Sequence, residues 1–376
     1  MGWVKRLLRE DVGLVYVALG GVGSAFLGAL FWFFLAAVLE VSSYGLVNYY
    51  LSLAGIFAAL GAMGLDTAVT TFLAKGENVL YEANSLALIS GLVLAFILSV
   101  FHWSLGILSA AMLFFGMTVA ELLGRRMYRE CALLSIGARL LQITSSLFLY
   151  FKLGLTGVVL GSFLGFLAFS YRYFLFLRNF TLKINSLREK RGFILHAYGS
   201  NLIGGTLPNQ LDKIVVGSLF GYYTLGLYQL GFQFFTFLSV IPSSLYQYLL
   251  PEESSGVSKR ELKLAGLGLA AAAAFAVYVV SPHLIGKLFP AFTGSIPIVQ
   301  LMSLAVIPSA AAAMLAASLL AEGKSRPVFA ASVVFTASLI AGLVVLGSTV
   351  GVMGLAFALI AAKTIQAIYL FVSKSL

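Results

Sequence analysis

Apolar residues run in long stretches along the whole chain, interrupted only by short polar or charged segments. A helix that crosses the hydrocarbon core of a bilayer needs roughly 20 such residues. Read this way, the pattern predicts twelve spans, at about 13–40, 44–73, 84–103, 104–123, 131–151, 154–177, 194–219, 223–250, 263–287, 294–320, 327–347 and 351–373. Some connections shrink to a few residues, as at Val41–Ser43, His102-Trp103 and Gly221-Tyr222. The longest polar stretch, Arg178–Gly192, divides the spans into two sets of six. The expected organisation is a first lobe over 1–178, a basic linker over 179–193 and a second lobe over 194–376.

The two sets read as repeats, the alternative being two unrelated six-helix domains. Tyr44-Gly45-Leu46 recurs as Leu225-Gly226-Leu227, each just after a short turn between spans, and Gly154-Leu-Thr-Gly157 recurs as Gly351-Val-Met-Gly354. Six spans is an even number, so both halves start on the same side and the repeat is parallel, a common transporter plan. The predicted fold is an all-α polytopic membrane protein of about 12 transmembrane helices in two pseudo-symmetric six-helix lobes around a central cavity.

Charge orients this arrangement. Lys5, Arg6, Arg9, Lys75, Arg125, Arg126 and Arg129, then the linker cations, then Lys259, Arg260, Lys263, Lys324, Arg326 and Lys374 fall on one set of connections; the other set holds only Lys152 and Lys287. A cytoplasmic excess of Lys and Arg sets topology during insertion. The expected location is the cytoplasmic membrane, multi-pass, with both termini inside. Lys5, Arg6 and Arg9 resemble the start of a signal peptide, but the apolar run continues to about Val41, so it reads as the first span.

Composition agrees: 60% of residues are apolar and 10% charged, and the mean hydropathy is +1.00, values that exclude an ordinary soluble domain. The net charge of +10 is spread over short segments beside spans, which suits anionic membrane lipids better than nucleic acid. One cysteine, Cys131, permits no internal disulfide, and His102, His196 and His283 near span ends do not suggest a metal centre.

All eight prolines lie in the second half, and Pro208, Pro242 and Pro308 fall inside spans. Proline removes a backbone donor and clashes with the preceding turn. Pro208 follows Gly204-Gly205-Thr206-Leu207, so the seventh span is expected either to carry a static kink or to bend there.

No hydrolase, kinase or redox motif is present, and no enzyme activity is expected. The chemistry rests on intramembrane polar groups. A charged side chain at a helix centre costs at least ~2.5 kcal/mol unless it finds a partner or water. Arg139 and Lys363 are each followed three residues later by a glutamine, Gln142 and Gln366, on the same helix face. Lys213, Asn48 and Asn201 add donors, with Gln229 and Gln233 deeper in the eighth span; Asp66 and Asp212 are the acids. On one reading Asp66, Arg139, Asp212 and Lys363 form internal ion pairs. On the other, Arg139 and Lys363 line a wet cavity and bind an anionic headgroup. Arg172 and Glu121 sit near enough to a span end to be expected to snorkel to the surface.

Several stretches then resemble a known family. Ser43-Tyr44-Gly45-Leu46-Val47-Asn48-Tyr49, followed by Gly61-Ala-Met-Gly64-Leu65-Asp66, is similar to the second-span pattern of polysaccharide (O-antigen-type) flippases of the multidrug/oligosaccharidyl-lipid/polysaccharide (MOP) exporter superfamily. Leu211-Asp212-Lys213 through Leu225-Gly226-Leu227-Tyr228, Pro251-Glu252, and Leu319-Leu-Ala-Glu-Gly323-Lys324 also resemble that family. The resemblance implies alternating-access movement of a polyprenyl-pyrophosphate-linked oligosaccharide, with Arg139 and Lys363 meeting the headgroup. No cofactor is expected beyond a coupling ion, Na+ or H+, and the expected partners are a lipid-linked oligosaccharide, membrane lipids and polysaccharide assembly enzymes. The two extra C-terminal spans of lipid II flippases are not expected. The alternative is a cation-coupled drug or metabolite antiporter of the same superfamily, which would use Asp66 and Asp212. A polyprenyl-dependent glycosyltransferase would need larger loops than these.

Overall fold

The computed structural model describes residues 12–254 and 260–375. Lys5, Arg6, Arg9 and Lys259 lie outside the described residues. Among those described there is no strand, and helices follow one another almost without loops. They are α1 Val12–Val38, α2 Val41–Ala62, α3 Leu65–Ala74, α4 Leu80–Phe101, α5 Trp103–Gly124, α6 Tyr128–Leu153, α7 Leu155–Ala168, α8 Tyr171–Phe176, α9 Asn185–Glu189 and α10 Arg191–Asn201. There follow α11 Leu207–Leu238, α12 Val240–Ser254, α13 Arg260–Leu288, α14 Ile296–Leu304, α15 Val306–Ala321, α16 Ser325–Val350 and α17 Val352–Ser375. Nine helical stretches among the described residues are long and apolar enough to cross a membrane. The protein is an all-α, multi-pass membrane protein.

Each predicted span corresponds to helix, but five of the spans are made of two pieces. The second breaks at Met63 and Gly64, both with positive φ (48° and 76°), between α2 and α3. The sixth breaks at Phe169-Ser170, the eighth at Ser239 and the tenth at Ala305. The seventh passes through a π-helical turn, Leu202–Thr206. α11 itself joins the seventh and eighth spans across Gly221, whose φ of 82° and ψ of 168° reverse the chain.

The prolines explain much of this. Pro208, Pro242 and Pro308 all lie in the first turn of α11, α12 and α15, immediately after a break. There a missing N–H leaves no intrahelical bond unmade. The chain satisfies each proline by restarting the helix in front of it. Pro282, by contrast, lies deep within a helix, α13.

Two compact units are present. One runs to Phe31 and from Tyr50 to Leu202; the other takes Trp32–Tyr49 and the chain from Ile203 onward. The division falls inside the seventh span, whereas the basic linker packs within the first unit. In that unit Leu65, Val69 and Phe72 of α3 pack with Leu80, Ala83, Met117 and Tyr173. The linker residue Leu187 joins the same cluster.

The repeat is visible within single units. In the second, an ideal Cβ on Gly45 would lie 2.0 Å from the Tyr222 carbonyl oxygen and 2.8 Å from the Gly226 nitrogen. A Cβ on Gly226 would lie 2.1 Å from the Val41 carbonyl oxygen. The two contacts mirror each other: each repeat-equivalent glycine faces the residue four positions before its counterpart, as a local two-fold requires.

A second correspondence compares a contact inside one unit with a contact inside the other. Gly154 (φ 61°) and Gly351 (φ 70°) make the turns before α7 and α17. A Cβ on Gly157 would meet the Leu149 carbonyl oxygen at 2.2 Å, and one on Gly354 the Leu346 carbonyl oxygen at 1.9 Å. Gly161 and Gly165 continue the first contact against Ser146 and Gln142, so α6 and α7 approach as closely as backbones allow.

Candidate functional site

The close α6–α7 contact builds one cation site. Arg139 of α6 donates from Nη1 to Gln142 Oε1 at 2.7 Å. Its guanidinium carbon lies 5.8 Å from the centroid of Phe166 on α7, within cation–π range. Gln142, 1% exposed, donates in turn from Nε2 to Ser162 Oγ at 3.2 Å, and Ser162 donates to the Val158 carbonyl at 3.0 Å. The glutamine amide therefore fixes the arginine through α7.

The second unit holds a matching site on α16 and α17. Lys363 Nζ lies 3.7 Å from the Phe335 ring centroid and donates to Gln366 Oε1 at 3.2 Å. Among the described residues neither Arg139 nor Lys363 has a carboxylate within ion-pair distance. Each cation is dressed by an aromatic face and one neutral amide, which leaves its charge uncompensated.

The acids are engaged elsewhere. Asp212, 1% exposed, accepts from Lys213 Nζ at 3.1 Å and from Tyr228 Oη at 3.0 Å. Lys213, 7% exposed, also donates to the Asn209 carbonyl at 2.6 Å and lies 4.4 Å from the Phe232 ring. The adjacent pair therefore closes on itself. Asp66 sits in the first turn of α3, where its Oδ1 accepts the Thr67 N–H at 2.8 Å and its charge suits the helix N-terminus. No ion pair among the described residues joins Asp66 or Asp212 to Arg139 or Lys363.

The neutral candidates are dispersed. Asn48, buried, donates to its own helix at the Tyr44 carbonyl (2.9 Å). Asn201 is exposed and donates to Thr67 Oγ1 at 2.7 Å, beside Asp66. Gly204 and Gly205 lie in the π-helical turn, and Pro208 follows in the first turn of α11. Gln229 and Gln233 are buried, and Gln229 Oε1 has no hydrogen-bond partner among the described residues.

One expectation is corrected. Glu121 does not snorkel: it is 2% exposed and receives a two-pronged contact from Arg172, with Nε and Nη2 at 2.8 Å from its two oxygens. Arg125 adds a third contact at 2.5 Å. A buried carboxylate in an apolar bundle needs such partners, and the bidentate geometry supplies them. Arg172 lies far from Glu121 in sequence, so no helical spacing signals the pair. Phe166, Phe335 and Tyr228 are equally silent in the sequence, because an aromatic residue in an apolar run carries no local mark of its partner.

No protein-family model matches the chain, and no curated protein matches it in sequence. Solved structures do match over nearly its whole length. A lipid II flippase MurJ in an inward closed conformation superposes with a TM-score of 0.71 at 14% identity, covering 96% of this chain and 88% of that one. An inward-facing multidrug resistance MATE transporter of the MOP superfamily gives 0.73 at 15% identity, covering 96% and 94%. An outward-facing MATE transporter gives 0.59 at 16% identity, covering 98% and 96%. The chain thus shares the fold of MOP superfamily transporters.

Proposed function

We propose that this protein is a transporter that moves a polyprenyl-pyrophosphate-linked oligosaccharide, a polysaccharide precursor, across the cytoplasmic membrane by alternating access, without covalent chemistry. The observation that carries this reading is the pair of uncompensated in-span cations. Arg139 and Lys363 each cost at least ~2.5 kcal/mol to hold at membrane depth. A structural ion pair would offset that cost, yet the acids of the spans are engaged elsewhere. An anionic headgroup that visits these cations supplies what the fold withholds, through charge-assisted hydrogen bonds. Matching cation sites in both repeats fit a substrate that meets each unit during a transport cycle.

Support for the antiporter reading is thinner. It requires a free carboxylate to bind and release a cation, and Asp212 already accepts from Lys213 and Tyr228. Only Asp66 remains.

The test is reconstitution in proteoliposomes with a fluorescent polyprenyl-pyrophosphate sugar. We expect movement between leaflets in the wild-type protein and its loss in Arg139→Gln and Lys363→Gln variants that still fold. Transport of a cationic dye, abolished by Asp66→Asn and indifferent to both cation substitutions, would overturn the proposal in favour of the antiporter.

A further inference from the structure

The basic linker is held down on one side and open on the other. Thr181 donates its N–H to Ser85 Oγ at 3.0 Å. The carboxylate of Glu82 accepts from Ser186 Oγ at 2.9 Å and from the Leu187 N–H at 3.0 Å, at the start of α9. Lys190 pairs with Glu77 at 2.5 Å and lies 4.8 Å from the Phe72 ring. Leu187 is buried in the core of the first unit. These contacts fix the backbone of the linker against the loop before α4 and the start of that helix.

Between them runs a non-helical stretch, residues 180–184. Its alternate residues Phe180, Leu182 and Ile184 are 48%, 72% and 45% exposed, while Thr181 between the first two is half-buried, its backbone N–H bonded to Ser85. Large apolar side chains facing out are ordinary on a span, where lipid tails cover them. Here they stand on the most polar segment of the chain, among the exposed cations Arg178, Lys183, Arg188 and Arg191, with Glu189 the one exposed acid of that stretch. Apolar residues interleaved with cations, on a scaffold that cannot turn them inward, form a surface matched to the headgroup–acyl boundary of an anionic leaflet.

We propose that Phe180, Leu182 and Ile184 insert into the interfacial zone of the membrane, and that Arg178, Lys183, Arg188 and Arg191 bind anionic lipid headgroups beside them. The partner is the lipid surface on the side where the cations of the chain collect. Glu77, Glu82 and Ser85 act as the clamp that presents the strip. Because the clamp belongs to the first unit alone, the strip ties that unit to the leaflet. This inference does not depend on what the protein transports.

The experiment uses the full chain in nanodiscs, with Leu182→Cys carrying a spin label in a Cys131→Ala background and Glu189→Cys as the control position. In nanodiscs containing phosphatidylglycerol, the label at 182 should lose most of its accessibility to a water-soluble nickel chelate and gain accessibility to oxygen, while 189 stays open. Replacing the phosphatidylglycerol with phosphatidylcholine, or combining Arg178→Gln, Lys183→Gln and Arg188→Gln, should reverse much of that change. Each neutralised cation should weaken the preference for anionic lipid by about five-fold. Gel filtration of every variant checks that it folds. A label at 182 as open to nickel as 189 in both lipids overturns the proposal and leaves the strip as a surface for a soluble protein. Insertion that ignores lipid charge refutes the headgroup contacts.

Discussion

Lys363 occupies in the second repeat the position that Phe166 holds in the first. The register that pairs Gly157 with Gly354 and Leu149 with Leu346 brings these two residues into correspondence. Arg139 then corresponds to the residue beside Phe335. Both repeats thus set a cation against an aromatic ring across the same helix pair, but with the partners exchanged between the helices. The contact recurs with its partners exchanged, at 5.8 Å in the first repeat and 3.7 Å in the second, so a cation–ring contact belongs to the packing site and not to either helix.

The first prediction follows. Phe335→Leu should leave Lys363 with Gln366 alone and lower the affinity for a pyrophosphate-bearing lipid only modestly, because a cation–π interaction is worth about 0.5–2 kcal/mol. Lys363→Gln should lower it more, by ten-fold or so, since a charge-assisted hydrogen bond of roughly 1.5–3 kcal/mol disappears. Binding of the lipid to purified, monodisperse variants measures both. Equal reductions would mean that the ring, and not the charge, is what the ligand meets.

Much of this architecture is legible in the chain, and the parts that are not share a cause. Apolar run length marks the spans, and Gly45, Gly226, Gly154 and Gly351 mark the repeat, because close backbone approach and positive φ leave few alternatives to glycine. Arg139 and Lys363 stand out because charge is rare in such runs. What escapes is partnership between distant helices: Glu121 with Arg172, Asp212 with Tyr228, Lys363 with Phe335. The breaks at Ser239 and Ala305 are also hidden, although Pro242 and Pro308 lie just beyond them and hint at each.

The glycine contact at the head of α2 gives a stability prediction. Gly45→Ala and Gly226→Ala each place a Cβ about 2 Å from a backbone carbonyl oxygen, a clash that only a shift of the helices relieves. Overpacking of this kind costs roughly 1–3 kcal/mol or more. Gly28→Ala, in α1 with nothing within 4 Å of its Cβ, is the control and should be neutral or slightly stabilising. Thermal unfolding in detergent reads all three, and a Gly226→Ala variant as stable as Gly28→Ala would contradict the packing described.

The seventh span offers a kinetic prediction. The π-helical turn at Leu202–Thr206 precedes Pro208, and a proline that forbids the regular bond pattern keeps that turn open. Pro208→Ala allows the helix to close regularly through the turn. If the segment bends during transport, the variant should unfold at the same or a higher temperature yet transport more slowly. Unchanged transport with unchanged stability would make the turn a fixed kink.

Asp212 and Lys213 supply the last prediction, which turns on an asymmetry between removing one charge and removing both. Each is almost fully buried, and Lys213 has no carboxylate other than Asp212 within reach among the described residues. Asp212→Asn should therefore leave a buried ammonium uncompensated and destabilise the protein by about 3–5 kcal/mol. Asp212→Asn combined with Lys213→Met removes the stranded charge and should recover most of that stability. Tyr228→Phe deletes only the hydroxyl that donates to Asp212, so its cost should stay near 1–3 kcal/mol. Unfolding temperatures of the three variants decide the matter. A double variant no more stable than Asp212→Asn would show that the carboxylate is held for something other than its lysine, and would make Asp212 an ion-coupling candidate again.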